Sequence, residues 1–447
     1  MANAAREATL PPKSLDRKLA AIHADPNCRE FILADAKDAD MAFGIGAPGQ
    51  SPEAHGGELR FRTLEEYRDQ MRLITRQGLV DIMLMSASSN YALTISERLF
   101  ERSHVTPAVR ANDTTDVHLA RGSVYAQGPA RPFRSLSIDH AMCGHLDCEP
   151  QERTLGANLG LYSVTFNNDL KRDLDTLERF HQFREEAERK GFRYFLEVFD
   201  PNVPGVVAPE VLPSFINDMV ARMLAGVAPA GRPLFLKMVY HGPKAIEELF
   251  RYDPHLVIGI LGGSAGTTRD AFQLLHDAQK AGAKVALFGR KINNAENQLA
   301  FVQFLRLIGE GVIGPADAVK AYHAVLQKLG IAPRRSLSDD LQITDQAMSY
   351  GGKPARVAVP SMVEVGAACG CHSSVKSSAS DACRCEETPA SPKSIVSESA
   401  RPASPVFLNH KESTNGHPTR DDGRPDFARM DVAQRLEYHR KRLGLGF

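Results

Sequence analysis

Residues 232–290 read RPLFLKMVYHGPKAIEELFRYDPHLVIGILGGSAGTTRDAFQLLHDAQKAGAKVALFGR, and this stretch decides the fold. Three short apolar runs, at 234–239, 256–261 and 284–288, are each followed by a turn and an amphipathic segment. In AIEELFRY and RDAFQLLHDAQKAG the apolar residues recur at three- and four-residue spacing, the period of a helix with one buried face. Lys237 and Gly262 are 25 residues apart, and Gly262 and Gly289 are 27 apart, which is the length of one strand plus one helix.

The same ladder continues toward the N-terminus. Further strands are predicted at 31–34, 80–85, 106–110, 159–165 and 194–199. Between and after them lie helical segments such as LEEYRDQMRLITRQG, DTLERFHQFREEAERKG and ENQLAFVQFLRLIGEG. Several end on glycine, as helix C-termini tend to. Eight strand–helix units in about 315 residues predict an α/β fold, a (β/α)8 TIM barrel. An open doubly wound sheet is the structural rival, but its glycine fingerprint after the first strand is missing.

The barrel is assigned to 28–345, after an N-terminal extension at 1–27. Beyond it, 346–424 is a low-complexity linker rich in Cys, Ser and Pro, with too little apolar surface to fold alone. The last segment, 425–447, is a short basic amphipathic helix. In the whole chain of 447 residues, 54 Lys and Arg balance 54 Asp and Glu, which argues against a nucleic-acid partner. No apolar run approaches the roughly 18–20 residues of a membrane span. The opening MANAAREATLPPKSLDRKLAAIHADPNC has no apolar core and is not a secretory signal. A soluble cytoplasmic enzyme without a membrane partner is expected, assembled with copies of itself. Seven cysteines do not make a disulfide scaffold, and in a reducing cytosol close pairs are more often free thiols or metal ligands.

In a barrel, functional groups sit at the C-terminal ends of the strands. The sixth strand places Lys237 in an otherwise apolar run, and alternation puts it on one face with Phe235 and Val239. A lumen lysine is costly unless it is paired or its pKa is lowered, and a lowered pKa is what a Schiff-base lysine needs. The plain alternative is a lysine at a strand end that reaches solvent or pairs with a carboxylate. Gly262, Gly263 and Ser264 end the seventh strand, and Gly289 and Arg290 end the eighth. Barrels often bind phosphate with these two loops, aided by a helix N-terminus. The fifth strand carries Glu197 in an apolar setting that suits an acid/base. The first strand ends in Asp35, Lys37 and Asp38. Structural ion pairing is the competing reading for these carboxylates.

Taken together, these strand ends resemble the class I aldolases of the tagatose 1,6-bisphosphate aldolase group. That group is related to deoxyribose-phosphate aldolase and to the archaeal-type fructose-bisphosphate aldolases. The family's Asp-Gln-Arg-Gly is similar to Asp35-Ala36-Lys37-Asp38, and its Phe-Phe-Leu-Glu resembles Tyr194-Phe195-Leu196-Glu197. The resemblance spans roughly 28–315 and implies Lys237 as the Schiff-base lysine, Glu197 as proton shuttle and Asp35 as the group that orients the substrate hydroxyl and Lys237. It further implies a phosphate site of Gly262, Gly263, Ser264, Gly289 and Arg290, with Lys37 as a substrate contact. The expected activity is a lyase of carbohydrate metabolism with no cofactor and no metal. It would act on a phosphorylated sugar and release dihydroxyacetone phosphate. The chain departs from the family at Lys37 (arginine), Asp38 (glycine), Phe199 (near a tyrosine of the archaeal type) and a long stretch at 111–158.

Two other readings compete. One is a catalytically weak, phosphosugar-binding regulatory barrel. The other is a metal-dependent enzyme using His140, Cys143, His145 and Cys148, a dense set of nitrogen and sulfur ligands whose spacing is not one of the usual zinc patterns. In the tail, Cys369, Cys371, His372, Cys383 and Cys385 form a second soft-metal candidate.

Overall fold

The computed structural model describes residues 11–49, 61–117, 120, 122–263 and 266–344, with isolated residues between 418 and 438. The predicted linker and terminal helix, the tail cysteines and Ser264 lie outside the described residues, apart from those isolated positions. No described helix is long and apolar enough to cross a membrane.

Eight parallel strands close into a barrel, as the ladder predicts. They are β1 (Ile32–Lys37), β2 (Ile82–Met85), β3 (Thr106–Arg110), β4 (Leu159–Thr165), β5 (Arg193–Phe199), β6 (Leu236–Met238), β7 (Ile258–Leu261) and β8 (Val285–Phe288). Each pairs with the next in chain order, and β8 returns to β1 with Ile32 opposite Val285. These strands are buried on both faces, which is why they read as continuous apolar runs. Alternation divides them. Ile32, Ala34, Ala36, Ile82, Leu84, Ala108, Leu161, Phe195, Phe235 and Leu287 fill the lumen. Leu33, Met83, Val109, Val164, Leu196, Leu236 and Ile260 face outward and pack with the helix layer.

Local signals set the helices. Leu64–Gln77 opens on a capping box of Thr63 and Glu66 and stops at Gly78, whose φ of 70° is the left-handed end that glycine accepts at no steric cost. Leu170–Lys190 runs from the Asp169 cap to Gly191 in the same way. The predicted N-terminal extension contains Ser14–Ala24, a helix whose buried Leu15, Leu19 and Ile22 join the lumen cluster. It contributes to the barrel core.

One buried ion cluster ties this helix to the barrel. Asp81, just ahead of β2, accepts from Lys18 Nζ at 2.9 Å, Arg306 Nη2 at 2.6 Å and the Leu33 N–H at 2.9 Å. Burial alone would raise its pKa, but Arg306 and Lys18 outweigh it and hold the carboxyl below its ordinary value. Because the folded pKa is depressed, this stabilisation is complete above about pH 4 and is lost as pH falls through the folded value. Asp81→Ala strands two buried cations and should cost about 3–5 kcal/mol by denaturant unfolding at neutral pH, with the deficit shrinking in acid. A change below 1 kcal/mol would contradict this account of the cluster.

Candidate active site at the mouth of the barrel

Three lumen residues stand in register on neighbouring strands: Ser163 on β4 is opposite Glu197 on β5, which is opposite Lys237 on β6. Lys237 Nζ is 2.5 Å from Glu197 Oε1, and Ser163 Oγ donates to Glu197 Oε2 at 2.6 Å. Asn112 fixes this row from β3's end, because its Oδ1 accepts the Ser163 N–H at 2.6 Å and its Nδ2 donates to the Ser163 carbonyl at 2.8 Å. Both carboxylate oxygens of Glu197 are therefore engaged, and Lys237 meets it at the shortest contact of the row.

A cavity of about 100 Å³ opens over this row, lined by Asp38, Phe43, Arg110, Glu197, Phe199, Lys237, Gly262, Gly263, Gly289 and Arg290 among others. Arg110 crosses it from the end of β3 and donates to Asp38 Oδ2 at 2.9 Å and to Asp113 Oδ1 at 3.1 Å. Burial opposes its charge, but Asp38, Glu197 and Asp113 more than compensate and raise its pKa. Arg110 Nη2 is buried and has no hydrogen-bond partner among the described residues. Arg290 lies over the Phe43 ring at 5.7 Å, and burial lowers its pKa.

The glycines bring backbone close. A Cβ at Gly262 would meet the Phe288 ring at 2.2 Å, and one at Gly289 would meet the Ala36 carbonyl at 2.7 Å. Gly262 spends its own N–H on Leu287 O at 2.8 Å. At the start of the helix after β7, Thr268–Lys280, the N–H of the cap residue Thr267 goes to Asp270, that of Thr268 to Asp340 and that of Asp270 to the Thr267 hydroxyl. The predicted help from a helix N-terminus is corrected on that ground, since two carboxylates and a hydroxyl already hold those donors.

The first strand needs a second correction. Ala34 and Ala36 point into the lumen, so Asp35 and Lys37 face outward between the barrel and its helices. They pair with each other at 2.9 Å with no exposure, and burial pushes Asp35 up and Lys37 down in pKa. Asp35 is thus not brought to Lys237, nor Lys37 to the cavity. Asp38, one residue past the strand, takes the inward position. Sequence reasoning gave no role to Arg110, Ser163 or Asn112. A polar residue ending or interrupting an apolar strand, the signal that picked out Lys237, marks Arg110 and Ser163 too.

Of the histidine–cysteine loop, Cys143 and Cys148 are joined by a disulfide, and Cys143, His145 and Glu152 converge, whereas His140 does not belong to that group. None of His140, Cys143, His145, Cys148 and Glu152 lines the cavity over Lys237, and Asp139, which accepts the Asp147 N–H, pairs with Lys190 at the end of the helix that leads into β5. The reading that makes it the metal centre of this cavity is corrected on geometry.

No protein-family model and no curated protein matches the chain. Among solved structures, an archaeal fructose 1,6-bisphosphate aldolase is similar at 15% identity over 66% of this chain and 99% of its own, with a TM-score of 0.46. A fructose-bisphosphate aldolase from Slackia heliotrinireducens is 14% identical over 69% of this chain and 91% of its own, with a TM-score of 0.49. Triosephosphate isomerase from Bartonella henselae is 14% identical over 62% of this chain and 99% of its own, with a TM-score of 0.34.

Proposed function

We propose that the protein is a class I aldolase, a lyase that cleaves or forms a carbon–carbon bond in a phosphorylated ketose through a Schiff base on Lys237. The observation that carries this reading is the in-register Lys237–Glu197 pair inside the lumen, at 2.5 Å and open to the cavity. Only a neutral amine attacks a carbonyl. Passing one proton from Nζ to the adjacent carboxylate supplies both the nucleophile and the acid that the next step needs.

Lys237 adds to the ketose carbonyl to form a carbinolamine, and Glu197 returns its proton to the departing hydroxyl, which leaves as water. The resulting iminium draws electrons from the bond to be cleaved. The carboxylate of Glu197 takes the proton of the hydroxyl beyond that bond, so an aldehyde leaves and an enamine remains. Protonation of the enamine and hydrolysis release dihydroxyacetone phosphate. Ser163 and Asn112 hold Glu197 in place, which favours the near-attack geometry. Arg110, steadied by Asp38, lines the same cavity as Lys237 and Glu197.

Arg290 is proposed as the phosphate anchor, with Gly263 and Gly289 admitting the phosphate to backbone contact and Gly262 narrowing the turn. Arg290→Ala should lower kcat/KM for a phosphorylated ketose on the order of 10²–10³-fold, in keeping with the loss of a charged hydrogen-bond partner at roughly 3–4 kcal/mol. It should change the slow turnover of the unphosphorylated sugar by much less. Equal losses on both substrates would remove Arg290 from this role. Retro-aldol activity that survives exhaustive chelation is expected throughout. Ligand-induced stabilisation with no turnover of any ketose phosphate would favour the regulatory barrel.

A further inference from the structure

We propose that the reduced loop between Cys143 and Glu152 binds one zinc ion through Cys143 Sγ, Cys148 Sγ, His145 Nε2 and Glu152 Oε1. The ligand atoms of Cys143, His145 and Glu152 all lie within 4.8 Å of one another. Cys148 is not among those three, but its sulfur is bonded to that of Cys143, with the two Cα atoms 6.0 Å apart, so opening the bridge leaves a second thiol next to the group. The backbone is shaped for this convergence. Gly144 (φ 90°) and Asp147 (φ 56°) take left-handed conformations that fold the chain back on itself. The base is closed by Gly156 N–H on Met142 O at 2.7 Å and Ala157 N–H on Ala141 O at 3.0 Å.

The hydrogen bonds around the loop point to a cation. His145 Nδ1 is 2.7 Å from Leu146 O, a carbonyl that can only accept, so Nδ1 carries the ring hydrogen. In the neutral ring Nε2 then presents a lone pair, and it faces Glu152 Oε1 at 3.4 Å. The other carboxylate oxygen, Oε2, is held by the Glu149 N–H at 3.0 Å. Two electron-rich atoms are thus aimed at each other, each fixed from behind by a backbone group, the outer-shell pattern of a liganding histidine and carboxylate. A second ring proton or a metal ion would reconcile them. The adjacent sulfur pair favours the metal, because a mixed thiolate, imidazole and carboxylate set suits zinc in tetrahedral coordination.

A thiol reductant delivers two electrons and two protons to the S–S bond and opens it to two thiols. Zinc then displaces both protons to solvent and takes the two thiolates. The ion would cross-link a loop within the long excursion between β3 and β4, away from the cavity that holds Lys237, so its role is structural.

The test is a zinc titration of the full chain under a phosphine reductant, in competition with a chromophoric chelator. Wild type should bind one zinc equivalent that the Cys143→Ser/Cys148→Ser variant lacks. His145→Ala and Glu152→Ala, at partly exposed positions that leave the core intact, should bind that equivalent at least tenfold more weakly. The tail cysteines are common to every variant, so the difference from wild type isolates the loop. If the reduced chain takes no zinc, or if all loop variants match wild type, the proposal falls and the bridging cation is a proton. Should the double serine variant not fold, the two alanine variants decide. Aldolase turnover is not the readout, so the outcome is independent of the function proposed above.

Discussion

Lys237→Ala should reduce aldol cleavage by on the order of 10⁴-fold or more, to the level of the barrel's residual binding effects, because the covalent route has no substitute nucleophile. The change also leaves Glu197 buried without its cation, and breaking a buried pair is itself destabilising. Loss of turnover in Lys237→Ala alone would therefore confuse chemistry with folding. Lys237→Arg separates them. The guanidinium keeps a positive charge beside Glu197 but does not form an iminium, so this variant should retain more of the stability of wild type and be equally inactive. Activity within tenfold of wild type in a folded Lys237→Arg protein would contradict the role given to this residue.

Glu197→Gln is expected to have the next largest effect, a fall in kcat of about 10²–10⁴-fold, the usual contribution of a general acid–base group. The amide keeps the shape of the carboxylate and a hydrogen bond to Ser163, but it neither accepts the lysine proton nor returns it to the leaving hydroxyl. Substrate affinity should change little, since the proposed phosphate anchor is on the loops after β7 and β8. Pre-steady-state kinetics should show iminium formation slowed along with cleavage. A variant that cleaves normally would place the proton relay elsewhere. Asp116 would then be the next carboxyl to examine, since burial raises its pKa and it accepts from the Thr165 hydroxyl at 3.3 Å one inward position beyond Ser163.

Much of this was legible in the chain because barrel strands are buried on both faces. An apolar run with no polar side then signals a strand, and a charged residue inside it signals a site. Lys237 and Glu197 stood out for that reason, and their register on adjacent strands follows from the closed order of the sheet. The first strand was less readable. Ending it at residue 34 hid the alternation that continues to Lys37, and with it the fact that Ala34 and Ala36, not Asp35, face the lumen. Asp38 then inherits the inward direction and meets Arg110, a contact between residues 72 apart that no local pattern encodes. The helix Ser14–Ala24 shows the same limit. Its apolar stripe of Leu15, Leu19 and Ile22 is visible in the sequence, but the floor of the barrel that it packs against is assembled from eight distant strands.

The central claim is that Lys237 becomes covalently bound to the ketone half of the substrate. The most direct measurement is borohydride reduction of the protein in the presence of dihydroxyacetone phosphate, followed by intact mass and peptide mapping. The account predicts one reduced adduct per chain, located on Lys237 and absent from Lys237→Arg. A folded protein with no adduct on any lysine, or with its adduct on a lysine outside the lumen, would contradict it.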